Sequence, residues 1–366
     1  MAAREQTQDM LTMPTGPWTV FLRWGFGFVL ASFLIWPVST MFLDSECENV
    51  WDPAVQEYVL RPDQRFCQRT EGWAVTQIGK HGILGTADIE TIQDPIVAFW
   101  GDSYVEALHV PDEAKMAAQF TRACRARTRR PLVGVNIGYS GRNVADYYSL
   151  IPAYERVAPS IVCHVIVVGH FEDILPDRFD GRSNRFVSRP QPAFVHHGWK
   201  PRWQKIKGAL DSLNLQFVWR LAVDLTELSV RLRPGPVPAP GNEDVRPDGD
   251  LGLQEAWSFL ITAMRQRTDR PLLFVYLADV PKIENGRVRL DNPEQRRTEL
   301  FGDLCRRHGV GFIDMTEDFV RLYKTKGKLA RGFANGIPGR GHINADGHRL
   351  VAEAVLLHLA NGSHGF

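Results

Sequence analysis

Ile96-Val97-Ala98-Phe99-Trp100-Gly101-Asp102-Ser103-Tyr104 is the stretch that decides the fold. Five apolar residues from Ile96 to Trp100 form a continuous run, bounded by a glycine, that predicts a strand buried on both faces. A helix signal follows at Asp112–Thr128, where apolar residues recur at helical spacing. The same alternation then repeats. Strands are predicted over Pro131–Ile137, Ile161–Val168, Pro271–Leu277 and Val310–Ile313, with helices over Asn143–Val157, Pro293–His308 and Asp346–Ala360. Strand–helix repetition predicts an α/β domain of three layers, αβα, with a central parallel sheet. Ligands of such sheets bind beyond the carboxyl ends of the strands, and Ser103 stands at that end of the first one. Asp102 and Ser103 also suit a simple helix cap, so their chemistry depends on a partner.

A serine hydroxyl near neutral pH needs a base to become a nucleophile. The partner comes from the far end of the chain, in Gly341-His342-Ile343-Asn344-Ala345-Asp346-Gly347-His348. His342 lies in the loop before the last predicted helix and His348 within its first turn. A loop histidine can reach over a cleft, whereas a helix histidine is packed or solvated, so His342 is the expected base.

Three blocks together carry a family resemblance: Gly101-Asp102-Ser103, then Val135-Asn136-Ile137-Gly138-Tyr139-Ser140-Gly141-Arg142-Asn143, then His342 with Asn344 and Gly347-His348. In this order they resemble the SGNH (GDSL-like) serine hydrolases, over about residues 93–361. The longer string from Gly101 to Pro111 resembles exported members that modify bacterial surface polysaccharides. The resemblance implies a flavodoxin-like sheet, Ser103 as nucleophile and His342 as base. It implies an oxyanion hole from the backbone N–H groups of Ser103 and Gly141, with Asp102, Asp173 and Asn344 in support. Two positions depart from the family pattern. Glu172 stands where the family has an oxyanion-donating asparagine, and an ionised carboxylate cannot donate. Gly339 stands where the family has the aspartate that orients the histidine, which leaves either a dyad or a carboxylate from elsewhere in the chain.

Ahead of these blocks, Trp24–Leu43 is an uncharged apolar run of the length that spans a bilayer. Trp18, Trp24 and Trp36 lie near its ends, Arg23 precedes it, and Asp44, Glu46, Glu48 and Asp52 follow it. A single transmembrane anchor at 24–43 is expected, with a short cytoplasmic tail at 1–23 and the rest outside, in the periplasm of a bacterium with two membranes. A cleaved signal peptide or a buried helix are the alternatives. Residues 44–92 read as a segment on the rim of the main domain, and 93–361 as the hydrolase-like domain. About 175–251 is an insertion within it, with an amphipathic stretch at Trp203–Leu232 and a proline- and glycine-rich linker after it. In that insertion His196, His197, Trp199 and Trp203 offer faces for sugar rings, though packing roles suit them better.

Five cysteines have no redox or zinc spacing. Cys47 and Cys67 either pair or remain thiols, and Cys163 is expected to be buried. No clustered His/Asp/Glu set is visible in the sequence, so no metal is expected, and no phosphate loop points to a cofactor. A net charge of +1 with 23% charged residues gives no footprint for nucleic acid. The expected function is an esterase or acetyl transferase acting through an acyl-serine on O-acyl groups of an extracytoplasmic carbohydrate. Polysaccharide-export or acyl-donor membrane proteins are the expected partners. A polysaccharide-binding scaffold and a lipid esterase or thioesterase are the rival readings.

Overall fold

The computed structural model describes residues 16–42, 44–45, 47–85, 88–127, 131–171, 174, 179–180, 185–186, 249–284 and 286–361. The chain divides into two units, Met1–Leu43 with His196–Pro236, and Asp44–Val195 with Val237–Phe366. In the first unit the described part is essentially one helix, α1 (Pro17–Phe42). It begins earlier than the apolar run suggests and takes in Arg23. Its window Pro17–Leu34 has a mean hydropathy of 1.3, and none of it is buried. Twenty-six residues of α-helix reach about 39 Å, long enough for a membrane span, and a signal sequence has the same character.

The second unit opens with two antiparallel hairpins, β1 (Asn49–Asp52) with β2 (Glu57–Leu60) and β3 (Arg65–Gln68) with β4 (Ala74–Gln77). The α/β core follows: β5 (Ile96–Gly101), α2 (Ser103–Glu106), α3 (Met116–Arg127), β6 (Val133–Gly138), α4 (Val144–Val157) and β7 (Ile161–Val168). A two-residue pair, β8 (Phe179–Asp180) and β9 (Arg185–Phe186), precedes α5 (Gly249–Arg267) and β10 (Leu272–Tyr276). Then come a hairpin of β11 (Lys282–Glu284) and β12 (Arg287–Arg289), α6 (Gln295–Arg307), β13 (Gly311–Asp314), α7 (Thr316–Lys326) and α8 (Ala345–Asn361).

The five strands β13-β10-β7-β5-β6 form one parallel sheet. In chain order this is 2-1-3-4-5, the flavodoxin-like arrangement whose switch point lies between its first and third strands. Every residue of β5 is buried, and its side chains alternate between two cores as a strand's period of two requires. Ile96, Ala98 and Trp100 join Tyr154 of α4, Trp257 of α5 and Phe301 of α6. Val97 and Phe99 join Phe120 of α3, Phe319 of α7 and Val355 of α8. The expected three layers are therefore present. A polar relay runs inside this packing: Trp100 Nε1 donates to His164 Nδ1 at 3.0 Å, and His164 Nε2 meets Glu155 at 2.9 Å.

The predicted core elements differ from the observed ones mainly at their ends. The helix expected over Asp112–Thr128 starts with a separate 3₁₀ turn at Asp112–Ala114 before α3. Helices α5 and α7 and the hairpins were not legible as elements. Cys47 and Cys67 are both free thiols, and Cys163 is buried as expected. The amphipathic stretch Trp203–Leu232, the linker after it, and His196, His197, Trp199 and Trp203 lie outside the described residues.

Candidate active site

Three segments distant in sequence converge at the carboxyl ends of the central strands. The first is the turn after β5. Asp102 caps α2 by accepting the N–H of Tyr104 at 3.0 Å, and Ser103 is the first residue of that helix. Asp102 is thus a structural cap, and burial raises its carboxyl pKa against the pull of that hydrogen bond. The second segment is the loop before α8. Gly332 N–H donates to His342 O at 3.0 Å and Asn344 N–H to Ala330 O at 2.9 Å, so the histidine's backbone is zipped to residues 330–332. Asn344 donates to the carbonyls of Leu329 and Gly332 and accepts from the N–H groups of Asp346 and Gly347. Its support is therefore to the loop and the start of α8.

The histidine these elements carry meets Ser103: His342 Nε2 lies 2.9 Å from Ser103 Oγ. The two residues expected as base and nucleophile are thus within hydrogen-bond distance of each other. His348 is buried, neither of its ring nitrogens has a hydrogen-bond partner, and burial holds its pKa down at about 3. It packs and takes no part at Ser103.

The third segment corrects the reading of residues 44–92 as mere rim. Glu71, in the turn between β3 and β4, accepts from His342 twice: Oε2 lies 2.7 Å from Nδ1, and Oε1 takes the backbone N–H at 2.9 Å. The carboxylate absent at Gly339 is thus supplied from elsewhere. Burial works to raise the Glu71 pKa, but the ring and backbone hydrogen bonds from His342 and the nearby imidazole charges outweigh it and hold it at about 2. The turn is anchored on both sides. Asp44 accepts the backbone N–H groups of Arg69 and Thr70. Asn335 accepts from Gly72 N–H at 2.9 Å and donates to the carbonyls of Arg69 and Gly72, each at 2.8 Å. Gly341, at φ +79°, lets the loop pass over the acid: a Cβ there would lie 2.2 Å from Glu71 Oε1.

A buried arginine joins the nucleophile's turn to the histidine's loop. Arg331, 2% exposed, donates to Leu277 O at 2.6 Å and Ala278 O at 3.2 Å just beyond β10. It also donates to Tyr104 Oη at 2.8 Å and Gly341 O at 3.1 Å. Tyr104, next to Ser103, in turn lies against the His342 ring at 5.3 Å and within 3.3 Å of His170 Nε2.

On the other side, the loop of residues 139–142 follows β6. Asn136 donates to Val105 O at 2.6 Å and accepts from Gly138 N–H at 2.9 Å. Buried Glu106, at the end of α2, accepts from the Ser140 hydroxyl. Burial raises the Glu106 pKa, while hydrogen bonds from Ser140 and the Lys115 charge work against that rise. The short helix bearing Ser103 is thereby clamped to the loop bearing Gly141. Gly141 has φ +80° and open space where a Cβ would be, a conformation that favours glycine. Glu172, at the family's oxyanion-asparagine position, and Asp173, expected in support, lie outside the described residues.

Contrary to the sequence reading, a His/Glu set is present: the ligating atoms of Glu71, His109 and His342 lie within 4.8 Å of one another. As arranged, the two imidazoles are stacked at 3.8 Å and 18°. Nearly parallel rings direct their in-plane lone pairs side by side rather than toward one point, so an ion would require one ring to turn. Glu71, His109 and Arg331 all went unread in the sequence. Glu71 and His342 are 271 residues apart, and the one local signal for His109 was its place in the string from Gly101 to Pro111.

No family model matches the chain, and no curated protein does. Among solved structures it is similar to an α/β hydrolase enzyme from the metagenome of Lake Arreo, Spain, at 15% identity and a TM-score of 0.38, covering 74% of this chain and 98% of that one. It is similar to an acetyl xylan esterase at 16% identity and 0.38, covering 73% and 100%. A catalytic mutant of an acetylxylan esterase from Geobacillus stearothermophilus gives 13% and 0.38, covering 75% and 96%. Likeness at this level leaves the chemistry to the geometry of this chain alone.

Proposed function

We propose that this chain is a serine esterase of the SGNH type, working through an acyl-Ser103 intermediate on O-acetyl groups of an extracytoplasmic carbohydrate. The observation that carries the reading is the unbroken chain Ser103 Oγ–His342 Nε2, His342 Nδ1–Glu71 Oε2, at 2.9 and 2.7 Å. With Glu71 ionised, the His342 proton sits on Nδ1 and Nε2 presents its lone pair to the serine. Ser103 Oγ attacks the ester carbonyl as Nε2 takes its proton, and Glu71 offsets the charge of the imidazolium. The tetrahedral oxyanion is received by the N–H groups of Ser103 and Gly141, each worth about 3 kcal/mol in the transition state. Collapse expels the alcohol, which takes the proton from Nε2. Water, or a second sugar hydroxyl, then repeats the sequence on the acyl-serine and frees Ser103.

Export and membrane attachment are supported by the apolar helix α1 at the N-terminal end, and the carbohydrate by the resemblance of the string from Gly101 to Pro111 to polysaccharide-modifying members. A carboxylate in reach of His342 favours catalysis over a pure scaffold. The test is to incubate the full chain in detergent with a fluorophosphonate, locate the adduct by mass spectrometry, and then compare acetylated sugars with long-chain acyl esters. An adduct on Ser103 with preference for acetylated sugars supports the reading. A folded sample without adduct points to the scaffold, and preference for long acyl chains to a lipid esterase or thioesterase.

A further inference from the structure

His109 lies in the loop after α2, six residues beyond the nucleophile, and nothing in the reaction just described uses it. Its surroundings are specific. Its imidazole lies face to face with the His342 ring, centroids 3.8 Å apart and planes 18° from parallel. Phe333 is a second ring neighbour of His109, with centroids 5.9 Å apart and planes 30° from parallel. Its Nε2 is 3.6 Å from Glu71 Oε2, the same oxygen that holds His342 Nδ1. Its carbonyl abuts Gly72, where an added Cβ would lie 2.2 Å away, so its backbone also backs the turn carrying the acid. One residue therefore touches both partners of the His342–Glu71 bond while sitting on the nucleophile's side of the fold.

We propose that His109 is a positioning residue: its stacked ring fixes the plane of His342, so that Nδ1 meets Glu71 while Nε2 meets Ser103. A histidine that bonds at both nitrogens has one free motion left, rotation that lifts the ring out of the plane shared by its partners. A flat neighbour at van der Waals distance, as His109 is with centroids 3.8 Å away, blocks that motion. The stack works with His109 neutral, because an imidazolium would face the charge that develops on His342 and compete for Glu71. The groups around it favour the neutral form. Burial, and then the charge of His342, lower its pKa to about 4 against the opposing pull of Glu71 and Asp44, with Lys115 adding to the lowering. Its Nδ1 is buried with no hydrogen-bond partner, which suits a bare lone pair better than an N–H.

The role rests on the triad geometry, and its test reads that geometry without turnover. Full-length protein with ring-¹⁵N histidine, in detergent micelles, is observed for the far-downfield proton of the His342 Nδ1–H···Glu71 bond, assigned by its loss in Glu71→Gln. The expected result is that His109→Phe, which keeps the flat face, retains the resonance. His109→Leu, of similar bulk but without a flat face, loses it to broadening, and so does His109→Ala. Fluorophosphonate labelling of Ser103 should fall about tenfold in His109→Leu and stay within about twofold in His109→Phe. An unchanged resonance in a folded Leu or Ala variant overturns the proposal, as does its absence from the parent protein. A resonance behaving as expected in a chain whose Ser103 never labels would leave the positioning role standing and sink the esterase reading instead. Because Leu conserves volume, it carries the test if the Ala variant fails to fold.

Discussion

Ser103 and Glu71 reach the same imidazole from two different kinds of structure. Ser103 sits just beyond β5, a strand buried along its whole length between β7 and β6, and its turn is pinned by Asn136, Glu106 and Tyr104. Glu71 sits between two four-residue strands ahead of the α/β core, in a turn held by Asp44 and Asn335. Ser103 is thus set by the core, and Glu71 by a peripheral turn bound through polar contacts. Damage to the first should cost chemistry outright. Damage to the second should leave a folded protein whose histidine is poorly held.

The largest expected effect is at the core side. Ser103→Ala should abolish fluorophosphonate labelling and lower esterase kcat by about 10⁶-fold without changing thermal stability, since the hydroxyl is half-buried and its loss opens no sizeable cavity. A variant that keeps ester turnover would move the nucleophile elsewhere.

At the acid side, Gly341→Ala places a Cβ against Glu71 Oε1 and strains a positive-φ position. We expect kcat/KM to drop about 100-fold, with circular dichroism unchanged. Activity within twofold of the parent would show that the Glu71 turn yields easily, and the contrast between the two regions would lose its force.

Arg331 belongs to neither region and ties the turn after β5 to the loop that carries His342. Replacing it with Met leaves the carbonyls of Leu277, Ala278 and Gly341 without their donor. The expected loss is about 3 kcal/mol of stability, read from denaturant unfolding, along with weaker labelling of Ser103.

The pH dependence of stability separates the groups further. His109 and His348 take up protons at 6.5 when unfolded, but in the folded chain only near about 4 and about 3. Between these values the unfolded state binds more protons, so stability rises with pH through that window and falls as pH drops from 6.5 toward 4. Glu71, lowered from 4.5 to about 2, contributes stability above 4.5 that is lost as pH falls toward 2. Midpoint temperatures across pH should therefore decline in two overlapping steps. His348→Leu should flatten the upper step and Glu71→Gln the lower one, and a substitution that leaves its own step intact would contradict the assignment.

What the sequence made legible follows the same division. The strands of the core announce themselves as continuous apolar runs, because a sheet covered on both faces has no polar side to interrupt them. Ser103 was legible because it follows such a strand, and His342 because it stands in the loop before the last helix. Glu71 was not, because strands of four residues carry too little periodicity to be seen, and its partner is 271 residues away. At the position where the resemblance led one to look for the acid, the chain has Gly339, at φ +72°, in a turn no side chain of which replaces it. Clusters built by long-range folding, such as the His109–His342 stack, leave no spacing to read.

The measurement that bears most directly on the account is kcat/KM for p-nitrophenyl acetate in the full chain and its Glu71→Gln variant, which keeps the shape of the side chain and removes its charge. A triad completed by Glu71 predicts a fall of about 10⁴-fold, with the protein still folded. A variant as active as the parent would show that His342 works without Glu71, as one half of a Ser103–His342 dyad, and would contradict the central claim.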